Sequence, residues 1–403
     1  MNKSIKVVGQ PMYNIGDLAA FKSLNQLLKE KFEAEIQYSV LSSRKIDLEF
    51  TKDSEISFLS DIPVVSKYEK LLAILSPKLL KFLSILFPKL KEKYKVLLKP
   101  DFLLFAPGGL ELGLYKEWDY LWMMSIFVAF KKNFGIYSRS IGDFQDKTFL
   151  DSFFKRKVVK YLKYSKFNGL RDQRSQTEAK YLGIPFYPSI DVVFSNIPDY
   201  ENIDKEILIE HYGSNYMVFT PSAFEWHPRF SNYSSETFVE LYLEIINIII
   251  EKTDFDIVML PHIYKDNKDT DYFNSLKSKC SNPKRIYILE NNPDSDLYQY
   301  IISKSKFTVV SRLHQTIFSI NNHTPFLSIS YEHKMEDMMK ILDLDDYVVR
   351  LQDILDGKID ISKTLHSFLL DEFDQNRLIE AQTKANQIAL NSFEKLSQRI
   401  SDV

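Results

Sequence analysis

A chain of 403 residues exceeds what one hydrophobic core usually serves, so two domains are the default, each folding around a core of its own. Fifty-two Lys and Arg against 54 Asp and Glu leave a formal charge of −2, which argues against a dedicated nucleic-acid surface outside a local basic cluster. The single cysteine, Cys280, excludes an internal disulfide and a Cys-rich metal site, fits a reducing compartment, and reads as a small half-buried residue.

The N-terminal MNKSIKVVGQPMYN lacks the apolar stretch of a signal peptide and runs straight into a strand pattern, so a cytoplasmic protein is expected. Strand-like runs follow at 5–9 (IKVVG), 36–40 (IQYSV), 101–106 (DFLLFA), 134–138 (FGIYS) and near 168–171 (NGLR). Between the second and third of these, residues 66–100 interleave nine lysines and two glutamates with Leu, Ile and Phe, and Pro77 and Pro88 break the run into short helices. That segment reads first as a solvated helical face over a local core. A second expectation is peripheral contact with an anionic membrane at its inner face.

The polar stretch 194–215 carries no strong strand pattern and is the expected link between domains at 1–200 and 201–403. Beyond it, strands at 216–220 (YMVFT), 255–260 (FDIVML), 285–289 (RIYIL), 306–310 (KFTVV) and 325–330 (PFLSIS) repeat the scheme. The apolar FVELYLEIINIII (238–250) is interrupted by Glu240, Glu244 and Asn247, is too short to cross a bilayer, and reads as a buried helix. A closing helix over 375–399 is expected to return to the first domain. Such alternation is the signature of parallel sheets covered on both faces, so the expected fold is α/β, two Rossmann-like doubly wound domains facing a cleft.

Ligands of such sheets collect at the carboxyl ends of the strands, where the candidate residues are sought. After the first strand, NIGD offers Asn14 and Gly16 in a loop feeding a helix, with Asp17 as a helix cap by default. No G-x-G-x-x-G accompanies them, which leaves a dinucleotide little support. APGGLELG places Gly108 and Gly109 where the backbone turns tightly or a ligand approaches closely. In LRDQRS, Arg171 and Asp172 form either a solvated pair or an oriented arginine suited to a carboxylate or phosphate. His262 follows a strand in MLPH, Arg312 and His314 follow another in VVSRLH, and Tyr331, Glu332, His333 and Lys334 end a third. Cations thus recur at consecutive strand ends. No spacing matches a zinc motif, a nucleophile elbow or a Walker loop, and no metal site is expected.

YNIGDLAA, FAPGG, LRDQRS, DVVF at 191–194, SRLHQTIFSI followed by TPFLSISY, and Lys334 together resemble the polysaccharide pyruvyl transferases. The resemblance runs in the right order over residues 5–340, and Arg-Leu-His after an apolar strand is its most specific piece. It implies a two-domain enzyme of glycosyltransferase-B type that takes phosphoenolpyruvate and attaches pyruvate as a ketal to a sugar of a cell-surface, capsular or exopolysaccharide chain. The first domain would be the acceptor side and the second the phosphoenolpyruvate side, with Arg312, Leu313 and His314 lining the donor pocket. One departure is visible: where many members carry an arginine after the first strand of the second domain, this chain has FTPSAFEWHPRF, leaving Arg229 or His227 to stand in.

The chemistry asks for the same residue types. A phosphate and a carboxylate in one small pocket call for a fork-like guanidinium and further cations, for which Arg312, Arg171 and Lys334 are candidates. His314 titrates near neutrality and is the candidate proton relay, and Asp17 could accept the proton of an acceptor hydroxyl. The implied partners are phosphoenolpyruvate as donor substrate and a sugar or lipid-linked oligosaccharide acceptor, with no cofactor and no nucleic acid. Two other readings stay open. One is a nucleotide-sugar glycosyltransferase in which Arg312 and Lys334 hold a diphosphate, and the other is a non-catalytic carbohydrate-binding relative.

Overall fold

The computed structural model describes residues 4–11, 14–33, 35–40, 57–59, 65–201, 203, 215–225, 227–263, 268–289, 294–370 and 373–403. Residues 204–214 of the expected link, and Trp226 within FTPSAFEWHPRF, lie outside them. The chain divides into two units, Met1–Met12 with Ala20–Asn196 and Asn386–Val403, and Tyr13–Ala19 with Ile197–Ala385.

The first unit begins β1 (Ser4–Gln10), α1 (Ile15–Lys31), β2 (Glu35–Val40), β3 (Ser57–Leu59), α2 (Lys67–Leu75), α3 (Pro77–Leu86) and α4 (Pro88–Leu98). It continues β4 (Phe102–Phe105), β5 (Gly108–Gly113), α5 (Trp118–Ala129), β6 (Asn133–Gly142), α6 (Phe149–Tyr164), β7 (Phe167–Leu170), α7 (Gln173–Leu182) and β8 (Tyr187–Pro188). All pairings are parallel, in the order β3-β2-β1-β4-β6-β7-β8, with β5 paired to the far half of β6. Gly108 and Gly109, expected where the backbone turns tightly or a ligand approaches closely, open β5, and the bend falls at Pro107. A glycine-rich strand shows no apolar alternation, so the sequence pattern did not mark it.

Helix α5 is apolar on every side because it is covered on every side. Tyr120 to Phe127 are all buried, packed with the sheet residues Val8, Phe105 and Phe134 and with Ile74, Leu80, Tyr94 and Leu97 of the α2–α4 layer. Ser66 caps α2, its Oγ accepting from the Glu69 N–H at 3.2 Å. Pro77 and Pro88 occupy the first positions of α3 and α4, where a missing N–H costs nothing, so the breaks fall where the prolines placed them.

The second unit runs β9 (Tyr216–Thr220), α8 (Ser235–Lys252), β10 (Asp256–Met259), α9 (Lys268–Lys279), β11 (Ile286–Ile288), α10 (Ser295–Lys304), β12 (Thr308–Val310) and α11 (Leu313–Asn321). It continues β13 (Phe326–Ser330), α12 (His333–Ile341), β14 (Val348–Arg350), α13 (Leu351–Leu355), α14 (Ile361–Leu370) and α15 (Gln375–Ser401), whose last turns from Asn386 group with the first unit. The sheet is parallel in the order β11-β10-β9-β12-β13-β14. Helix α8 buries Phe238, Leu241, Tyr242, Ile245, Ile246 and Ile249, the three- and four-residue spacing of one helical face.

Trp122 is fully buried between α4 and the rest of the first core, its ring 6.3 Å from that of Tyr94. Trp122→Ala is expected to lower the unfolding free energy by about 3–5 kcal/mol in equilibrium chemical denaturation, the cost of an unfilled aromatic site.

Candidate active site at the switch point of the second sheet

From β9 the chain steps outward through β10 to β11, then β12 returns to the opposite side of β9. The loops leaving β9 and β12 therefore diverge, and the carboxyl ends of these two strands open the crevice in which doubly wound sheets bind ligands. Ser311 closes the strand end by donating from Oγ to the Thr220 carbonyl at 2.5 Å. Arg312 then stands at the N-cap of α11, 9% exposed, with no side-chain capping bond. Its guanidinium lies 3.5 Å from Asp269 Oδ1 and over the Phe224 ring at 5.8 Å, and its Nε is buried without a hydrogen-bond partner among the described residues. Leu313 is buried beside it.

His314 is reached by a segment far away in sequence. The start of α1 at residues 14–17 belongs to this unit, with the Ile15 N–H donating to the His262 carbonyl at 3.0 Å and Asn14 bridged to Ile263. Gly16 lies flat against the imidazole: a Cβ there would come within 1.9 Å of His314 Nδ1. Only glycine permits that approach. Asn14, rather than Asp17, caps α1: its Oδ1 accepts from the Asp17 N–H at 2.9 Å, and its amide donates to Asp17 Oδ2 at 2.7 Å. His262 is fixed by its backbone N–H to Asp269 Oδ2 at 2.8 Å and by Gln315 Nε2, 3.3 Å from its Nδ1. Its ring lies nearly parallel to that of His314, at 19° with 6.3 Å between centroids.

The loop after β13 supplies the other wall. Glu332 is buried between Lys334 Nζ, 2.6 Å from Oε2, and His227 Nε2, 3.4 Å from Oε1. Tyr331 stacks on Phe224 at 4.3 Å and carries Lys334 Nζ 6.0 Å from its ring centre. Of the two residues able to replace the displaced arginine, His227 is the buried one, while Arg229 is exposed and donates to the Tyr331 carbonyl at 3.4 Å.

The sequence profile described as Polysaccharide pyruvyl transferase matches residues 14–333, most of this site and both sheets. The chain belongs to the polysaccharide pyruvyl transferase family. The amylovoran biosynthesis protein AmsJ of Erwinia amylovora is 35% identical over 75 residues, 19% of this chain and 17% of that protein, so the match spans less than a fifth of its length. Among solved structures, the UDP-GlcNAc 2-epimerase of Methanocaldococcus jannaschii is similar with a TM-score of 0.59 at 12% identity, over 98% of this chain and 100% of that one. The Neisseria meningitidis enzyme bound to UDP-GlcNAc gives 0.58 at 12% over 98% and 99%, and TcCGT1 in complex with UDP gives 0.59 at 10% over 100% of both chains. At such identities the likeness establishes the fold, two parallel sheets flanked by helices as in glycosyltransferase-B enzymes.

Three expected site residues of this pyruvyl transferase family member, Arg171, Gly108 and Gly109, lie in the first unit. Arg171 is not oriented by Asp172. Its NH1 donates to the buried Asp191 at 2.6 Å and its Nε to Ser140 Oγ at 3.2 Å, while Asp172 caps α7 by accepting from the Ser175 N–H at 2.8 Å. A Cβ on Gly108 would lie 2.7 Å from the guanidinium of Arg139, whereas one on Gly109 would meet only Glu111 at an ordinary 3.7 Å. Arg139 is the residue that sequence reasoning missed. Fully buried, it donates to the Ala106 carbonyl at 2.5 Å and to Glu111 at 2.7 Å and lies 4.5 Å from the Tyr120 ring centre, while Tyr120 donates to the Gly9 carbonyl at 2.6 Å. The one available signal was an arginine inside the apolar strand NFGIYSRSIG.

Burial, joined by the positive charges of Arg312, His314 and Lys334, holds the imidazole of His262 well below its ordinary 6.5, so it is neutral at physiological pH. Burial pushes Glu332 upward, but Lys334 and His227 more than offset it and hold the carboxyl below the usual range, so it stays ionised. The unfolded chain protonates His262 below about pH 6.5 and the folded chain does not, so the stability linked to this residue is present above that pH and is lost as pH falls. Between about pH 7.5 and 5.5 the melting temperature of wild type should therefore drop more than that of His262→Asn, which keeps an acceptor for Gln315. His323, also depressed by burial, contributes alike to both proteins.

Proposed function

We propose that this transferase moves the enolpyruvyl group of phosphoenolpyruvate onto two hydroxyls of one sugar as a ketal, in the biosynthesis of a cell-surface polysaccharide. The observation that carries this reading is the gathering of Arg312, His314 and Lys334 around a neutral His262 at one switch point, with a buried Arg312 Nε still lacking an acceptor. A small dianionic donor suits such a site, since two cations offset its phosphate and carboxylate while Leu313 offers the vinyl carbon an apolar neighbour. Arg171 is held by Asp191 in the first unit, so the anion-binding role is assigned to Arg312, with Lys334, itself paired with Glu332, as the second cation.

The reaction balances without a co-reactant. Protonation of the vinyl CH₂ gives a methyl group and an oxocarbenium-like carbon, which one sugar hydroxyl attacks as it loses its proton. The phosphate then leaves with the C–O bond electrons, and the second hydroxyl adds to the regenerated cation, losing its own proton to complete the ketal. His314, against whose ring Gly16 packs, is assigned to deliver the first proton, and Asp17 in the same first turn of α1 is the carboxylate assigned to receive one from the acceptor.

The test is phosphate release and pyruvate transfer from phosphoenolpyruvate to cell-surface glycans and lipid-linked sugars. Arg312→Ala should lower kcat/KM by roughly ten- to a hundredfold or more, as a charge-assisted contact worth about 1.5–3 kcal/mol is lost, and Arg312→Lys should restore only part of it. His314→Gln should spare donor binding, lower turnover by about 10²- to 10⁴-fold, and remove one limb of the pH-rate profile. If thermal shifts respond to nucleoside diphosphates and not to phosphoenolpyruvate, the enzyme is a glycosyltransferase, and a response to glycans alone makes it a binding protein. Because a methyl group at position 16 has no room beside His314, Gly16→Ala should reproduce the turnover loss of His314→Gln in the same assay while the protein remains folded by circular dichroism.

A further inference from the structure

We propose that helices α2 and α3 form a docking face that sets the first unit on a bilayer surface rich in anionic lipid. The layer α2–α4 is apolar on two sides. One side sends Ile74, Leu80 and Leu97 into the core around α5, as any covering layer must. The opposite side also carries large apolar groups: Tyr68, Leu71 and Leu75 on α2, then Leu79, Phe82 and Ile85 on α3, with Tyr68 85% and Ile85 68% exposed. Steps of three and four residues put each trio on one helical face. Of the 17 large apolar side chains exposed among the described residues, eight fall between Tyr68 and Phe87, so this is a patch and not the usual scatter.

Charge selects the occupant. Around this face Lys67, Lys78, Lys81, Lys89, Lys91 and Lys99 carry no ion pair among the described residues. The acidic neighbours are already taken: Glu69 receives Lys93 at 2.6 Å and the Tyr94 hydroxyl at 2.5 Å, Asp119 receives Lys70, and Glu92 receives Lys95 at 3.0 Å. In a chain whose net charge is −2 this local excess of cations is unbalanced. A second copy of the chain is a poor occupant, because a two-fold interface would set one lysine rim against the other. An anionic bilayer surface meets both features at once, with apolar side chains entering the headgroup boundary and lysines reaching the phosphates. The contact would lie in the membrane plane, since no helix of the described residues is long and apolar enough to cross.

The test is co-sedimentation of the full chain with vesicles of phosphatidylglycerol mixed into phosphatidylcholine, against vesicles of phosphatidylcholine alone. Binding is expected to the anionic vesicles only and to weaken as salt rises. Two double variants separate the contributions, Phe82→Ser with Ile85→Ser and Lys78→Glu with Lys81→Glu. Each should weaken binding by about tenfold or more while thermal melts stay close to wild type, because these side chains lie at or near the surface. No binding to anionic vesicles at low salt, equal binding to both vesicle types, or undiminished binding by both variants would overturn the proposal. So would a dimer in size-exclusion chromatography that the Phe82 and Ile85 variant dissolves, without vesicle binding by wild type, since the face would then join copies of the chain.

Discussion

The parallel pairing of β9 with β12, Val218 beside Thr308 and Thr220 beside Val310, makes the chain leave one sheet in opposite directions at a single place. Crossovers carry β10 and β11 to one side of β9 and β13 and β14 to the other side of β12, and the crevice beyond these two carboxyl ends is where such sheets bind ligands. Every side chain discussed for the second unit is set by that geometry. Arg312 and His314 follow β12, Phe224 and His227 follow β9, His262 follows β10, and Glu332 and Lys334 follow β13. Helices α11 and α12 begin just after β12 and β13, and their N-termini add a partial positive charge there.

Each sheet has an arginine at its switch point, and the two differ in what already holds them. Arg139 has a carbonyl, a carboxylate and an aromatic face within contact, an arrangement that offsets much of the cost of burying its charge. Arg312 has Asp269 at 3.5 Å and the Phe224 ring at 5.8 Å, and the Nε of each arginine is buried without a hydrogen-bond partner among the described residues. A charge whose nearest carboxylate is 3.5 Å away gains more from an incoming anion than one held at 2.7 Å. Glu332 plays a complementary part, since its ionised carboxyl lies beside Lys334 and His227 and tempers the repulsion among nearby cations.

The fold itself carries little of the chemistry. Chains at 10–12% identity superpose over nearly their whole length, as parallel sheets with short crossovers demand only apolar strands and covering helices. The profile match over residues 14–333 spans the strand-end positions from Asn14 to His333.

From the sequence by itself came the α/β alternation, the helix breaks at Pro77 and Pro88, and the run of cations after successive strands, all of which are properties of neighbouring residues. The short β3, β8 and β14 and the glycine-rich β5 escaped, because two or three residues, or residues without side chains, hold no period to read. Partner choice could not be read either. Asp172 adjoins Arg171 in the chain, yet Asp191 pairs with it, because the parallel register of β6, β7 and β8 decides which loops meet. The contact of Gly16 with His314 and the anchoring of Glu332 by His227 have the same origin. Residue types and their periodicity are local and survive in the sequence, whereas ion pairs and close approaches depend on strand order, which only the folded sheet establishes.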